Sequence, residues 1–315
     1  MPIFVEYYFE RYGDLELQRR MVSDQRRTKA FAEAIAEVVR PGDVVLDVGT
    51  GTGILAMLCA KAGASRVYGI DQAAVAQSAA NLVKANGLQD IVKIKRGEAT
   101  ELELDEKVDL IVSEWLGNFA YVEGMWDDLC VVRDRHLKPN GKMLPSAVTL
   151  SMAPLDDSSL YYGMGPGYWQ KPVHGLDFSS LEAKELIQGK ASQIRVEPGT
   201  LIAPEKTLLT TDMKAVLADQ HWFEGVHTFK IARSGTINGF AAWFNAHLSP
   251  SIDLDTGPEL PETHWSQTAL FWPPTSVSKG DEISVAIRVG PHPDEPRYVR
   301  LELEWDGTSH CYQLE

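Results

Sequence analysis

Cysteine is scarce in this chain, and basic charge is in deficit. The three cysteines, Cys59, Cys130 and Cys311, lie far apart and are odd in number. That spacing excludes a disulfide framework and a Cys-x-x-Cys metal site, and it predicts a reducing, cytoplasmic setting with no metal. No apolar run approaches the ~20 residues of a membrane span. The opening MPIFVEYYFERYGDLELQRR is acidic and aromatic rather than charged-then-apolar, so no signal peptide is expected. Lys and Arg number 30 against 44 Asp and Glu, for a formal net charge of −14. Such a surface repels nucleic acid and anionic membranes and favours cationic ligands. Internal repeats and low-complexity tracts are also missing. What remains is ordinary globular composition, 44% hydrophobic and 23% charged, enough for one large domain or two modest ones.

The chain reads as two halves with different patterning. From about Lys29 to Leu144, short apolar runs alternate with helix-length amphipathic segments. DVVLDV (43–48), RVYGI (66–70), IVKIK (91–95) and VDLIVS (108–113) read as strands. ILAMLCAKAG (54–63), AAVAQSAANLVKANG (73–87) and YVEGMWDDLCVVRDRHL (121–137) read as helices. That alternation predicts a doubly wound parallel sheet, an α/β class with Rossmann-like topology. After Pro145 the runs are β-rich and separated by Pro, Gly and Asp: AVTLSM (147–152), HTFKIA (227–232), GFAAWFNAHL (239–248), EISVAIRV (282–289) and YVRLELEW (298–305). These predict a mostly antiparallel β-barrel or sandwich. The expected division is 1–144 and 145–315.

VLDVGTGTGIL (45–55) joins a strand to a helix through Gly49, Gly51 and Gly53. Glycines there let a ligand approach the backbone, and the following helix start offers free N–H donors. Asp71 closes the next strand, where a carboxylate can accept both ribose hydroxyls. Alone, such a turn is as readily structural; strand, turn, helix, strand and acid in register point to a nucleoside. The GxGxG spacing, preceded by Asp47, differs from the GxGxxG of a dinucleotide site. It resembles motif I of the class I S-adenosylmethionine methyltransferases, which implies that cofactor, with RGEAT (96–100), including Ala99 and Thr100, beside its adenine.

SEWLGNFAYVEGM (113–125) places Glu114 and Glu123 in a segment otherwise apolar, aromatic or small. Carboxylates in such surroundings call for a cation. The segment resembles the double-glutamate loop of the protein arginine methyltransferases. YYFERY (7–12), MVSDQRRT (21–28) and THW (263–265) resemble further motifs of that family, in the family's order. The resemblance spans nearly the whole chain. It implies three catalytic residues: Glu114 and Glu123, which clamp a substrate guanidinium, and His264, paired with Asp24. It further implies that Arg27 meets the cofactor carboxylate, with Asp47, Gly49, Gly51, Gly53 and Asp71 on the cofactor. Tyr8, Phe9 and Tyr12 would cover that cofactor, and Trp265, Met21 and Met125 would line the arginine channel. Taken alone, Glu114 and Glu123 could be surface acids, His264 a solvated loop histidine and the methionines core packing.

Three positions depart from the family pattern: Leu116 replaces a methionine, Gln18 a histidine, and Thr100 an acid. The chain begins seven residues before Tyr8, so no accessory domain is expected ahead of it. The aromatic, glycine-containing stretch at about 158–179 falls where the family inserts a dimerisation arm, which implies a homodimer; a loop packed on its own domain is the other reading. The resulting expectation is methylation of arginine in a protein or peptide. Free arginine or another small guanidine, a catalytically silent scaffold, and a nicotinamide dehydrogenase are the alternatives.

Overall fold

Val44–Val48 (β1) is buried throughout, and a run with no solvent face is stable only inside a sheet covered on both sides. In the computed structural model, which describes residues 14–122, 124–188, 191–217, 222–293, 295 and 298–314, β1 is the middle strand of a five-stranded parallel sheet. Tyr8, Phe9, Tyr12 and Glu123 lie outside the described residues. Helices Leu15–Ser23 (α1) and Gln25–Val38 (α2) precede the sheet. The others in this half are Ile54–Lys61 (α3), Val75–Ala85 (α4) and Met125–His136 (α5). The strand order is β3–β2–β1–β4–β5, with β2 at Arg66–Asp71, β3 at Val92–Arg96, β4 at Val108–Val112 and β5 at Leu137–Leu144. Val45 stands opposite Val67 on one side and Leu110 on the other. The order reverses between β1 and β4, so a crevice opens at their carboxyl ends, where such sheets take ligands.

Two details depart from expectation. Helix α5 begins at Met125, four residues later than the apolar spacing suggests. Gly124 is left-handed at φ 66°, and Gly117 and Ala120 bridge each other in a tight turn upstream. The segment around Glu114 is therefore an ordered loop and not a helical turn. The expected boundary after Leu144 is preceded by a strand the spacing does not signal: β5 follows α5 directly.

The second half is built from β6 (Ala147–Leu155), β7 (Ser192–Ile194), β8 (Lys206–Asp212), β10 (Gly235–His247), β11 (Asp253–Asp255) and β12 (Gln267–Val277), which make one antiparallel sheet. A second sheet contains β9 (Phe223–Lys230), β13 (Glu282–Pro291), β14 (Val299–Trp305) and β15 (Thr308–Leu314). The alternation of YVRLELEW places Val299, Leu301, Leu303 and Trp305 inward. Phe240 of the first sheet lies 6.4 Å from Phe229 and 6.3 Å from Trp305 of the second, ring to ring, so the inner faces share one core. Of the barrel and the sandwich that the patterning allows, the barrel is not confirmed: among the described residues no strand pairing closes the two sheets into a ring. Period-two alternation specifies one buried face and is indifferent to closure.

The aromatic stretch folds as Ser158–Gly163 (α6), a short 3-10 turn at Pro166–Gln170 and, after a tight bridge, Ser180–Gln188 (α7). Tyr161 is fully buried against Phe271 of its own chain and donates to Glu182 at 2.9 Å. Trp169 likewise donates its indole N–H to Glu185. These two anchors are internal, whereas Met164, Tyr168, Val173 and Leu176 stay exposed.

Asp47 shows how the first turn is braced. It is fully buried, and its Oδ2 accepts the Thr50 hydroxyl at 2.6 Å and the Ala56 amide at 3.0 Å, while Oδ1 carries no hydrogen bond. Burial pushes its carboxyl up to about 7, against the pull of Thr50 and Ala56. The folded state then binds more protons than the unfolded one between the ordinary value of 3.8 and about 7. Stability through this group is therefore lost as pH rises across that window. Chemical denaturation of wild type and Asp47→Asn from pH 4 to 8 should show a falling component in wild type that the variant lacks; parallel profiles would place the titration elsewhere.

Candidate active site

At the carboxyl ends of β1, β2 and β4 lies a cavity of about 330 Å³. Its floor is the turn after β1. Gly49 and Gly51 hold φ of 70° and 54°, and both line the cavity. A side chain on Gly49 would start 2.9 Å from the Met125 methyl, and one on Gly51 would start 3.1 Å from Gln18 Oε1. The turn is bare because anything larger than hydrogen would fill the cradle.

Asp71 ends β2 and points into the cavity. Its Oδ2 accepts the Gly51 amide and its Oδ1 the Ala73 amide, each at 2.8 Å. Burial raises its carboxyl above the usual range even though both amides favour the charged form. Each oxygen has a second lone pair, so the carboxylate can still accept two hydroxyls. Gly97, Glu98 and Ala99 form the neighbouring wall. Thr100 does not; its carbonyl takes an N–H of Arg135. Asp47 and Gly53 are also off the wall, Asp47 beneath the turn and Gly53 at the start of α3, where a Cβ would meet Ala79. Of the residues expected on the cofactor, then, Gly49, Gly51 and Asp71 face the cavity, whereas Asp47 and Gly53 do not and instead brace the turn.

The opposite side carries the charges. Glu114 follows β4, and its Oε2 accepts Arg27 Nε at 2.9 Å and Nη2 at 2.6 Å. Both side chains are only 7% exposed. Glu114 Oε1 takes the Leu116 amide at 3.0 Å, and Arg27 Nη1 donates to the Met21 carbonyl at 3.3 Å. Arg27 thus uses three of its five N–H groups in these contacts, which leaves one on each terminal nitrogen.

Asp24 caps α2 by accepting the Arg27 amide on Oδ1 at 3.0 Å. Its Oδ2 accepts the His264 imidazole Nδ1–H at 2.8 Å and the His264 amide at 2.9 Å. Burial works against the charge on Asp24, yet the hydrogen bonds from His264 and Arg27 win and hold its carboxyl down at about 2. The charged acceptor fixes the Nδ1–H tautomer and leaves Nε2 free of that contact. Trp265 lies against the His264 ring at 3.9 Å between centroids and donates its indole N–H to the Leu116 carbonyl at 2.6 Å. Met21, Met125 and Trp265 all line the cavity.

Several lining residues escaped the sequence reading: Glu98, Asp128, Gln193, Glu295 and Tyr298. Glu98 sits in the RGEAT stretch, two positions before the Thr100 that was singled out, so its signal was present and misassigned. Asp128 lies just beyond the double-glutamate segment, on the first turn of α5, and Gln193, Glu295 and Tyr298 come from distant parts of the chain with no motif around them. Among the described lining residues, five carboxylates (Asp71, Glu98, Glu114, Asp128, Glu295) face two guanidiniums, Arg20 and Arg27. A cavity so charged favours a cationic occupant.

Two family models match. Residues 147–310 match the arginine methyltransferase oligomerization subdomain, and residues 25–148 match ribosomal protein L11 methyltransferase. The chain is similar to protein arginine N-methyltransferase 1 of Schizosaccharomyces pombe, with 32% identity over 95% of this chain and 89% of that protein. It is also similar to a probable protein arginine N-methyltransferase 6 of Arabidopsis thaliana, with 30% identity over 98% of this chain and 80% of that one. Among solved structures, the PRMT1 enzyme–prozyme heterotetrameric complex of Trypanosoma brucei with AdoHcy superimposes with a TM-score of 0.90 at 29% identity, covering 96% of this chain and 99% of that one. Protein arginine methyltransferase 10 of Arabidopsis thaliana gives 0.86 at 28% identity, over 98% and 100% of the two chains. The chain belongs to the protein arginine N-methyltransferase family.

Proposed function

We propose that this chain methylates a guanidinium nitrogen of arginine in a protein or peptide, with Glu114 and Glu123 as the clamp on the substrate. One observation carries the reading: Glu114 already holds a guanidinium, that of Arg27, through two N–H bonds inside an acid-rich cavity. The cofactor is S-adenosylmethionine, and the cavity suits it. The glycine cradle admits its close approach, Asp71 has acceptor capacity left for a ribose, and Arg27 has N–H groups left for a carboxylate. When bound, S-adenosylmethionine supplies an electrophilic methyl group on a sulfonium.

The chain's own part follows from charge and geometry. A guanidinium has a pKa near ~13 and spreads its lone pairs over three nitrogens, so it is a poor nucleophile. Carboxylates on its other N–H groups draw the positive charge away from the attacking nitrogen and offset its repulsion by the sulfonium. Holding that nitrogen in place removes an entropic barrier that can reach ~7–11 kcal/mol. With the cofactor bound, the new N–C bond would form as the methyl–sulfur bond broke to release a neutral thioether, and one guanidinium N–H proton would have to leave. His264, held at Nδ1 by the charged Asp24, offers Nε2 to take it. Trp265 and Met125 narrow the channel, and Tyr8, Phe9 and Tyr12 are assigned to the cover over the cofactor.

The assembly is part of the same reading. The matched family model is an oligomerization subdomain, and the 158–179 segment exposes Met164, Tyr168, Val173 and Leu176 beside its internally anchored rings. We assign these to a homodimer contact, in a cytoplasmic setting that three unpaired thiols support. Sedimentation velocity should show a dimer for wild type and a folded monomer for Met164→Asp with Leu176→Asp; a wild-type monomer at micromolar concentration would remove the arm.

Two substitutions test the site. Glu114→Gln keeps the shape but replaces one charged acceptor by an amide, so turnover on arginine peptides should fall at least ~10²-fold, and affinity for S-adenosylhomocysteine should also weaken because Arg27 loses its charged partner. Near-wild-type methylation by that variant would overturn the guanidinium clamp. Asp71→Ala should weaken S-adenosylhomocysteine binding by about 1.5–3 kcal/mol, measured by calorimetry. Unchanged affinity would move the nucleoside away from β2.

A further inference from the structure

The loop that carries His264 and Trp265 is tightly wound. Ser266 N–H donates to the Thr263 carbonyl at 3.1 Å, and Ser266 itself is left-handed at φ 52°. A non-glycine residue in that conformation is strained and persists only where its surroundings hold it. Side chains from outside do the holding. Arg26 binds the carbonyls of Asp255 and Pro261, and Arg20 Nη2 binds the His264 carbonyl at 2.7 Å. Gln193 spans two consecutive residues. Its Nε2 donates to the His264 carbonyl and to the Trp265 carbonyl, each at 2.8 Å.

Both partners of Gln193 can only accept, so the amide nitrogen must face them. The connection continues inward: Trp265 donates its indole N–H to the Leu116 carbonyl, and the Leu116 amide donates to Glu114 Oε1. One exposed side chain on the short strand β7 therefore fixes the backbone behind the imidazole, the indole and, through Leu116, the clamp carboxylate.

We propose that Gln193 is a positioning residue for methyl transfer, acting through the His264 and Trp265 carbonyls; this rests on the reading of the cavity as a guanidinium methylation site. It touches no part of the described cofactor cradle, so it acts on kcat and leaves cofactor affinity alone. A donor at this position is what matters, and a second acceptor is repelled by both carbonyls.

Gln193→Glu and Gln193→Lys separate this role from packing. The first puts an acceptor where the donor was at the same length, and the second restores N–H donors on a stem of similar reach. In Gln193→Glu, kcat on an arginine peptide should fall about tenfold, with S-adenosylhomocysteine affinity held within about twofold. Amide hydrogen exchange at residues 263–266 should quicken in the same variant. Gln193→Lys should recover at least about half of kcat and the slow exchange. A Gln193→Glu enzyme within about twofold of wild type in kcat, or a Gln193→Lys enzyme no better than Gln193→Glu, would overturn the assignment. The exchange measurement needs no substrate. Wild type that methylated no arginine would thus remove the proposed activity, whereas unchanged exchange in Gln193→Glu would remove the positioning role.

Discussion

The ion pair between Arg27 and Glu114 is the contact on which the site depends. Two charges with side chains 7% exposed carry a desolvation penalty of several kcal/mol each, and attraction offsets it only when the geometry is good and the other polar atoms are satisfied. Here the planar fork meets one carboxylate oxygen twice, the Met21 carbonyl takes a third N–H, and the Leu116 amide satisfies the other oxygen. Replacement of such a pair by apolar groups is often neutral or stabilising, so folding alone gives no reason to keep it. Asp24 ties the pair to the rest. One of its oxygens caps the helix that presents Arg27, and the other holds His264. A single residue at the break between α1 and α2 thus sets the positions of groups from both ends of the chain.

Much of the α/β half was legible because its signals are local. VVLDV is buried on both faces, GTGTG permits the turn, and an acid ends the next strand; each needs only its sequence neighbours. The late start of α5 was legible in principle, since Gly124 interrupts the pattern, but apolar spacing on either side masked it. Strand β12 was hidden for a different reason. It runs through Pro273 and Pro274, which read as a stop, yet its tertiary partner β10 shifts register across the matching stretch between Ile237 and Gly239 and accommodates them. Closure of the antiparallel half could not be read at all. Alternation reports one inward face per strand and nothing about whether the last strand meets the first.

Within the site, what the sequence concealed is mostly backbone. Gln193 acts on carbonyls, and carbonyls leave no trace in residue identity. Asp47 illustrates the converse. It belongs to the same short motif as Gly49 and Gly51, and nothing in the letters distinguishes an acid that meets a ligand from one that braces the turn beneath it. Only depth separates them: Asp71 reaches the cavity from the end of its strand, whereas Asp47 is turned into the helix start of α3.

The same distinction explains why Leu116 is compatible with a family in which methionine is usual. Its amide donates to Glu114 and its carbonyl accepts the Trp265 indole, so both of its polar contacts to the site are made by the main chain. The side chain is 4% exposed and joins the hydrophobic core, where leucine and methionine have similar volume and exchange at little cost. Gln18 is a departure of another kind. It is buried beside Gly51 and replaces a ring that can titrate by an amide that cannot, on the wall where the cofactor cradle meets α1. Position 116 can vary because the backbone carries its part of the site, whereas position 18 meets the cradle through the side chain itself. The first substitution is met by the main chain; the second keeps position 18 itself neutral at every pH.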